Sequence, residues 1–212
     1  MYDLPHHKEK NEQEVKDFMV RYPFAFLTGV DAAFKPVATQ LPVFIEEQGG
    51  RKYLRGHIMK NTDHHKAFQQ NPNVLAVFTG HHSYVSGTWY DNPYTPSTWN
   101  YMSVHVRGTI RFLDDAALID VLRMTTLHFE QYNAQSTTVF DNLPADYTQR
   151  LMKAIVAFEI EVSDMDTVFK LSQDRDEKSY DNIIERLKQQ GENGQVIAAE
   201  MEKRRFTYKN LS

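Results

Sequence analysis

Residues 99–112 alternate between apolar and polar side chains: Met102, Val104, Val106 and Ile110 fall on one face, Ser103, His105, Arg107 and Arg111 on the other. A period of two is the geometry of a strand with one face buried, so the chain must build a sheet against a core. Its neighbours agree. Residues 24–30 read as a strand, 31–36 as a turn, and 37–46 as a second strand of a length that suits a hairpin partner. The glycine pair at 49 and 50 marks the next turn, and 52–57 a third strand. Further strands fall at 73–79, at 84–86 and at 155–162.

Helical spacing appears elsewhere. Val15, Phe18 and Met19 define an amphipathic helix over 9–22, ended by Pro23. A short helix over 61–70 leads through Asn71-Pro72 into the following strand. Asp114 and Asp115 can cap a helix over 116–132, and Asp146 can open one near 147–153. Helices over 178–190 and 195–205 flank a GENG turn, with the charged end MEKRRFTYK expected to fray. Antiparallel strands first, with helices at both ends and in one late insertion, favour a barrel or sandwich over a doubly wound fold. No repeat or low-complexity linker divides the chain, so 1–212 reads as one domain with 176–212 a C-terminal helical appendage.

Composition narrows the function classes. An apolar content of 41% supports a core, and a net charge of −4 argues against a broad nucleic-acid face. Without cysteine there is no thiolate catalysis and no Cys-ligated zinc. The N-terminus lacks the apolar core of a signal peptide, and no window approaches the ~20 apolar residues of a membrane span. A cytoplasmic location is the expectation. Neither a Gly-x-Gly-x-x-Gly run nor a P-loop occurs, so the standard nucleotide cradles are missing. Neighbouring histidines at 64–65 and 81–82 do not have metal-ligand spacing, and no metal site is expected. Residues 80–108, by contrast, hold both tryptophans, four of the eleven tyrosines and three of the nine histidines. Such a cluster suits a planar ligand, a nucleobase or a partner chain.

The run YLRGHIMKNTDHHKAFQQNPNVLAVF (53–78) resembles the flavin-binding split-barrel superfamily. Joined to VATQLPVFIE (37–46), GHHSYVSGTWY (80–90), TPSTWNYMSVHVRG (95–108) and FKLSQDR (169–175), it resembles the PaiB family of FMN-binding negative transcriptional regulators, in family order over nearly the whole chain. The resemblance implies a mainly β (α+β) fold, a six-stranded antiparallel split barrel with flanking helices. It also implies a homodimer with FMN held where two subunits meet, and DNA as a partner by family analogy. The chain departs from the family pattern at 60–65, KNTDHH, and at Gly87.

Site expectations follow from the residues and that resemblance together. Arg55 and His57 share one strand face, with Lys60 and Asn61 at the turn beyond; cations at a helix start suit a phosphate dianion. Thr39, Gln40, Leu41 and Pro42 match the strand whose backbone meets the isoalloxazine edge, and Pro42 fits a strand edge beside a ligand. Trp99, Tyr101 and His105 supply an aromatic and polar row facing a flavin or a partner subunit. Lys170 and Ser172 follow the last strand, where they complete an anion site or, through Ser172 or Asp174, cap the next helix. No catalytic residue is singled out. The second functional expectation is a flavin-dependent oxidoreductase of the pyridoxamine-phosphate-oxidase-like class; haem binding ranks third.

Overall fold

The computed structural model describes residues 2–209, with backbone alone for 206–209. Seven strands, β1 Phe24–Val30, β2 Pro36–Pro42, β3 Phe44–Gln48, β4 Arg51–Met59, β5 Asn73–Val85, β6 Thr98–Phe112 and β7 Ile155–Lys170, form one sheet in the order β2-β1-β5-β6-β7-β4-β3. The helices are α1 Glu12–Arg21, α2 Asp63–Gln70, α3 Asp115–Phe129, α4 Ala145–Met152, α5 Glu177–Lys188 and α6 Glu192–Lys209. Among the described residues no helix is long and apolar enough to cross a membrane.

The antiparallel, mainly β architecture agrees with the sequence reading, but the strand count is seven rather than six. Residues 37–46 are two strands, broken at Val43. Pro42 has no N–H to donate, and the Val43 N–H makes the last bond on the β1 side, to the Pro23 carbonyl at 2.8 Å, before the chain crosses to β4. β2 then pairs with β1, and β3 with β4, so consecutive segments lie at opposite ends of the strand order. A sheet whose two end strands are joined by a single residue must curl until its edges approach, which is how the barrel closes. Gly56 sits at that seam. A Cβ there would lie 2.9 Å from the Pro42 carbonyl oxygen and 2.8 Å from Phe158 Cζ, so only glycine admits β4 so close.

Two other boundaries differ. The segments at 73–79 and 84–86 are one strand, β5, and β7 runs past 162 to Lys170. Ser163 and Asp164 interrupt the apolar pattern of β7, but Arg107 on β6 holds both: its guanidinium meets Asp164 Oδ2 at 2.8 Å, and its carbonyl accepts the Ser163 hydroxyl at 3.2 Å. Asp114 caps α3, accepting from the Ala117 N–H at 2.9 Å. Asp146 does not cap α4; Pro144 occupies that position.

Two compact units are present. The barrel unit, residues 19–78 and 105–165, is built on buried Leu27, Leu54, Phe78, Val106, Phe158 and Ile160. A terminal unit, comprising residues up to 18, 79–104 and 166 onward, buries Met102, Val104, Phe169, Leu171, Ile183, Leu187, Ile197 and Met201. In the terminal unit the charged end of α6 is anchored. Arg204 is buried against the Phe169 ring, its guanidinium carbon 4.8 Å from the centroid, and pairs with Glu14 at 2.8 Å, Glu200 at 3.4 Å and Glu9. Lys203 pairs with Glu14 at 2.8 Å and Arg205 with Asp181. The fraying expected at 203–205 is replaced by a clamp, because three carboxylates meet a guanidinium that also stacks on an apolar ring.

Candidate functional site

In the barrel unit, Thr39, Gln40, Leu41 and Pro42 lie on β2, an end strand paired to β1 in the register Leu27↔Thr39, Phe26↔Gln40, Ala25↔Leu41 and Phe24↔Pro42. Leu41 points into the core, Gln40 is exposed, and Thr39 and Pro42 are half-buried. The other edge of β2 carries no ladder partner in the sheet order. Backbone donors and acceptors along that edge are therefore not taken up by another strand, although the Pro42 carbonyl lies close against Gly56 of β4.

Arg55 and His57 sit on β4 as the spacing predicts. Arg55 is already engaged: Nε and one terminal nitrogen donate to Glu159 Oε2 at 2.8 and 2.6 Å, and the other reaches Glu46 at 2.8 Å. Arg111 forks onto the remaining Glu159 oxygen at 3.0 and 2.6 Å. Burial alone would raise the Glu159 carboxyl, yet the two guanidiniums outweigh it and hold its pKa below the usual carboxylate range. His57 has its pKa lowered by burial, which favours the neutral imidazole.

The turn after β4 differs in character. The Lys60 N–H donates to the Ala154 carbonyl at 2.8 Å, while its ammonium has no carboxylate partner among the described residues. Asn61 adopts φ 66, the left-handed conformation that asparagine tolerates better than most non-glycine residues. Its N–H donates to His65 Nδ1 at 3.2 Å, and Thr62 caps α2 by accepting from the His65 N–H at 3.3 Å. Burial, then His64 and Lys60, lower the His65 pKa, in keeping with a neutral ring whose Nδ1 accepts. A free cation thus stands one residue before a locked turn and the capped start of a helix. His105, on β6, is half-buried in the same unit.

Trp99, Tyr101, Lys170 and Ser172 belong to the terminal unit. Lys170 Nζ donates to the Trp99 carbonyl at 2.7 Å and to Thr98 Oγ1, and burial lowers its pKa. Ser172 is 4% exposed at φ 59, and its hydroxyl donates to Asn100 Oδ1 at 2.9 Å. Asn100, fully buried, in turn donates to Met201 Sδ at 3.5 Å. The motifs at 95–108 and 169–175 are therefore locked to each other. Neither Ser172 nor Asp174 caps α5; Asp176 does, accepting from the Ser179 N–H at 2.9 Å. Tyr101 is half-buried, its phenol pKa raised by burial and then by Tyr2. Trp99 is 51% exposed, beside His82 and Tyr84. Sequence reasoning missed Asn100 and Gln173; the latter donates to the His6 and Phe169 carbonyls at 2.7 and 2.6 Å. Their places inside the two motifs were the only signal.

The family model described as "Putative FMN-binding domain" matches residues 1–164. The protease synthase and sporulation protein PAI 2 of Bacillus subtilis (strain 168) is 30% identical over 203 residues, 95% of this chain and 97% of that one. Among solved structures, the FAD and heme binding protein from Mycobacterium smegmatis aligns with a TM-score of 0.58 at 17% identity, covering 77% of this chain and 73% of that chain. The flavocytochrome Anf3 from Azotobacter vinelandii aligns at 0.50 and 16% identity, covering 85% and 78%. At these identities the two structures speak for the fold.

FMN, the cofactor of the matched family, presents a phosphate dianion and a flat ring with in-plane donors and acceptors. The Lys60 ammonium at the start of α2 and the open edge of β2 are groups of the right kind for each, so the residues fit. The barrel closed at Pro42 and Gly56, the family match over 1–164 and the near full-length relative converge on one assignment: the chain belongs to the PaiB-type family of FMN-binding split-barrel proteins.

Proposed function

We propose that the protein is an FMN-binding homodimer with a regulatory role, in which Lys60 and Asn61 hold the phosphate and the Thr39–Pro42 edge meets the ring. The observation that carries the cofactor assignment is the unpaired Lys60 ammonium at the start of α2, within a chain of this family. His57, kept neutral by burial, adds a donor without adding charge. Arg55 serves instead to tie β4 to Glu159 on β7. His105, in the same unit as β2 and Lys60, is a candidate for the ring, whereas in the terminal unit Lys170 and Ser172 act through β6, fixing Trp99 and Asn100. When bound, FMN supplies the capacity to accept and release electrons.

Support for a second copy comes from the outer face of β1, where Phe24 and Phe26 are 59% and 43% exposed. The regulatory reading rests on the resemblance to the PaiB family; the Bacillus subtilis relative is named only for protease synthesis and sporulation. A repressor contact with DNA has to lie outside Lys203, Arg204 and Arg205, which are paired with carboxylates. The side chain of Lys209, the fourth cation of that cluster, lies outside the described residues.

FMN titration followed by flavin fluorescence tests the cofactor site. Lys60→Ala should raise Kd about tenfold or more, the worth of a charge-assisted bond. A wild-type protein that leaves flavin fluorescence unchanged refutes the assignment. For regulation, retardation of fragments from its own genome at low salt is expected, and no retarded fragment rejects direct repression. The second reading is a flavin-dependent oxidoreductase, in which the flavin carries the chemistry. Bleaching of bound FMN by NAD(P)H, with reoxidation by an added acceptor, is its signature.

A further inference from the structure

A hollow of about 340 Å³ in the terminal unit lies between the outer ends of β5 and β6 and the turn joining α5 to α6. We propose that it binds a planar nitrogen heteroaromatic ring carrying an exocyclic amino or carboxamide group, the chemistry shared by a nucleobase and nicotinamide. This inference is independent of the flavin assignments, except that it gives Trp99 to the second ring.

One wall is aromatic. Trp99 is 51% and Tyr84 46% exposed, and His82 and Tyr84 approach the indole with centroids 5.4 and 6.1 Å away at 56° and 69°. Neither contact is a parallel stack, so a flat ligand can lie against the indole. Lys170 holds the Trp99 carbonyl from behind, fixing the backbone that presents it.

The opposite rim is polar and oriented. Asn193 Oδ1 is bonded to His81 Nδ1 at 2.6 Å, and Gln190 Oε1 accepts the Ser83 hydroxyl at 2.7 Å. Two residues spaced by two on β5 thus hold both carboxamides by their oxygens. Their amino groups, and the Glu192 carboxylate, have no partner among the described residues. The rim offers donors for a ring nitrogen or carbonyl and an acceptor for an exocyclic N–H. A Cβ at Gly191, which lines the hollow, would have nothing within 4 Å, so that part of the wall is open. An aliphatic ligand would leave these polar groups unpaired, and a simple anion would meet Glu192.

The chain has only two tryptophans, so Trp89→Phe leaves Trp99 as the sole indole reporter. In that variant, adenosine or nicotinamide should quench Trp99 emission saturably, and cyclohexanecarboxamide should not. Asn193→Ala and Gln190→Ala, both at the rim, should each weaken binding about fivefold. Linear, unsaturating quenching refutes the site, as does unchanged affinity in both variants. Displacement of the heterocycle by FMN also refutes it, since the hollow would then belong to the flavin. A protein that binds the heterocycle but no FMN upholds this site while rejecting the cofactor assignment, so the two readings fail separately.

Discussion

Glu159 is the residue on which charge and burial compete most directly. At 2% exposure its carboxylate would be unfavourable alone, and each oxygen is instead clamped by one arginine. Removing the charge leaves Arg111 without a carboxylate and Arg55 with Glu46 alone, both partly open to water, so Glu159→Gln should cost about 1–3 kcal/mol at pH 7. The folded pKa is depressed, so the stabilisation is complete above the ordinary carboxylate range and is lost as pH falls through the folded value. Urea unfolding at neutral and acid pH should show the gap between wild type and variant closing on acidification; a constant gap rejects the ion-pair account. Gly56 makes a steric claim of the same kind. Gly56→Ala places a Cβ 2.9 Å from the Pro42 oxygen and should cost about 1–3 kcal/mol by thermal unfolding. Sequence spacing put Arg55 and His57 on one strand and Lys60 at the turn, but it could not reveal that Glu159, more than a hundred residues away, occupies Arg55 and leaves Lys60 as the free cation. Pairing across β4 and β7 is a tertiary fact.

At the scale of elements, periodicity was readable wherever one face is buried and failed where a partner strand compensates a polar interruption. Met102, Val104 and Val106 are buried as their alternation predicts. β7 looked finished at 162 because Ser163 and Asp164 are polar, yet Arg107 satisfies both and the ladder continues. The split of 37–46 had its signal in Pro42, whose missing donor ends one strand and frees the chain to begin the next on the opposite edge. The C-terminal helix gave the opposite error, since a run of cations reads as a solvated tail unless its carboxylates are known. Arg204→Met should leave Glu9, Glu14 and Glu200 facing each other at reduced solvation and destabilise the protein by about 2–4 kcal/mol in urea. Amide exchange through residues 192–204 should accelerate in step. A variant with wild-type stability and protection rejects the clamp.

For the whole molecule, the outer face of β1 decides between a monomer and a dimer. An antiparallel sheet that faces water on one side should present polar residues there, yet Phe24 and Phe26 stand out from it, paired in register with Pro42 and Gln40 on β2 and, for Phe26, with Val77 on β5. Large rings together on an outer sheet face lose burial that a second copy would restore, at roughly 1.5–3 kcal/mol for each ring fully covered. β2, the strand proposed to meet the flavin, adjoins this face, so dimerisation and cofactor binding should be linked. Light scattering should give twice the 24.7 kDa chain mass for wild type, and Phe26→Glu, which sets a carboxylate into the contact, should give the chain mass alone. FMN affinity should fall with it. Lys60→Ala should weaken FMN binding about tenfold or more and stay dimeric, because its ammonium is proposed to act on phosphate rather than on the sheet face. A wild-type monomer that still binds FMN separates the two and places the flavin within one subunit.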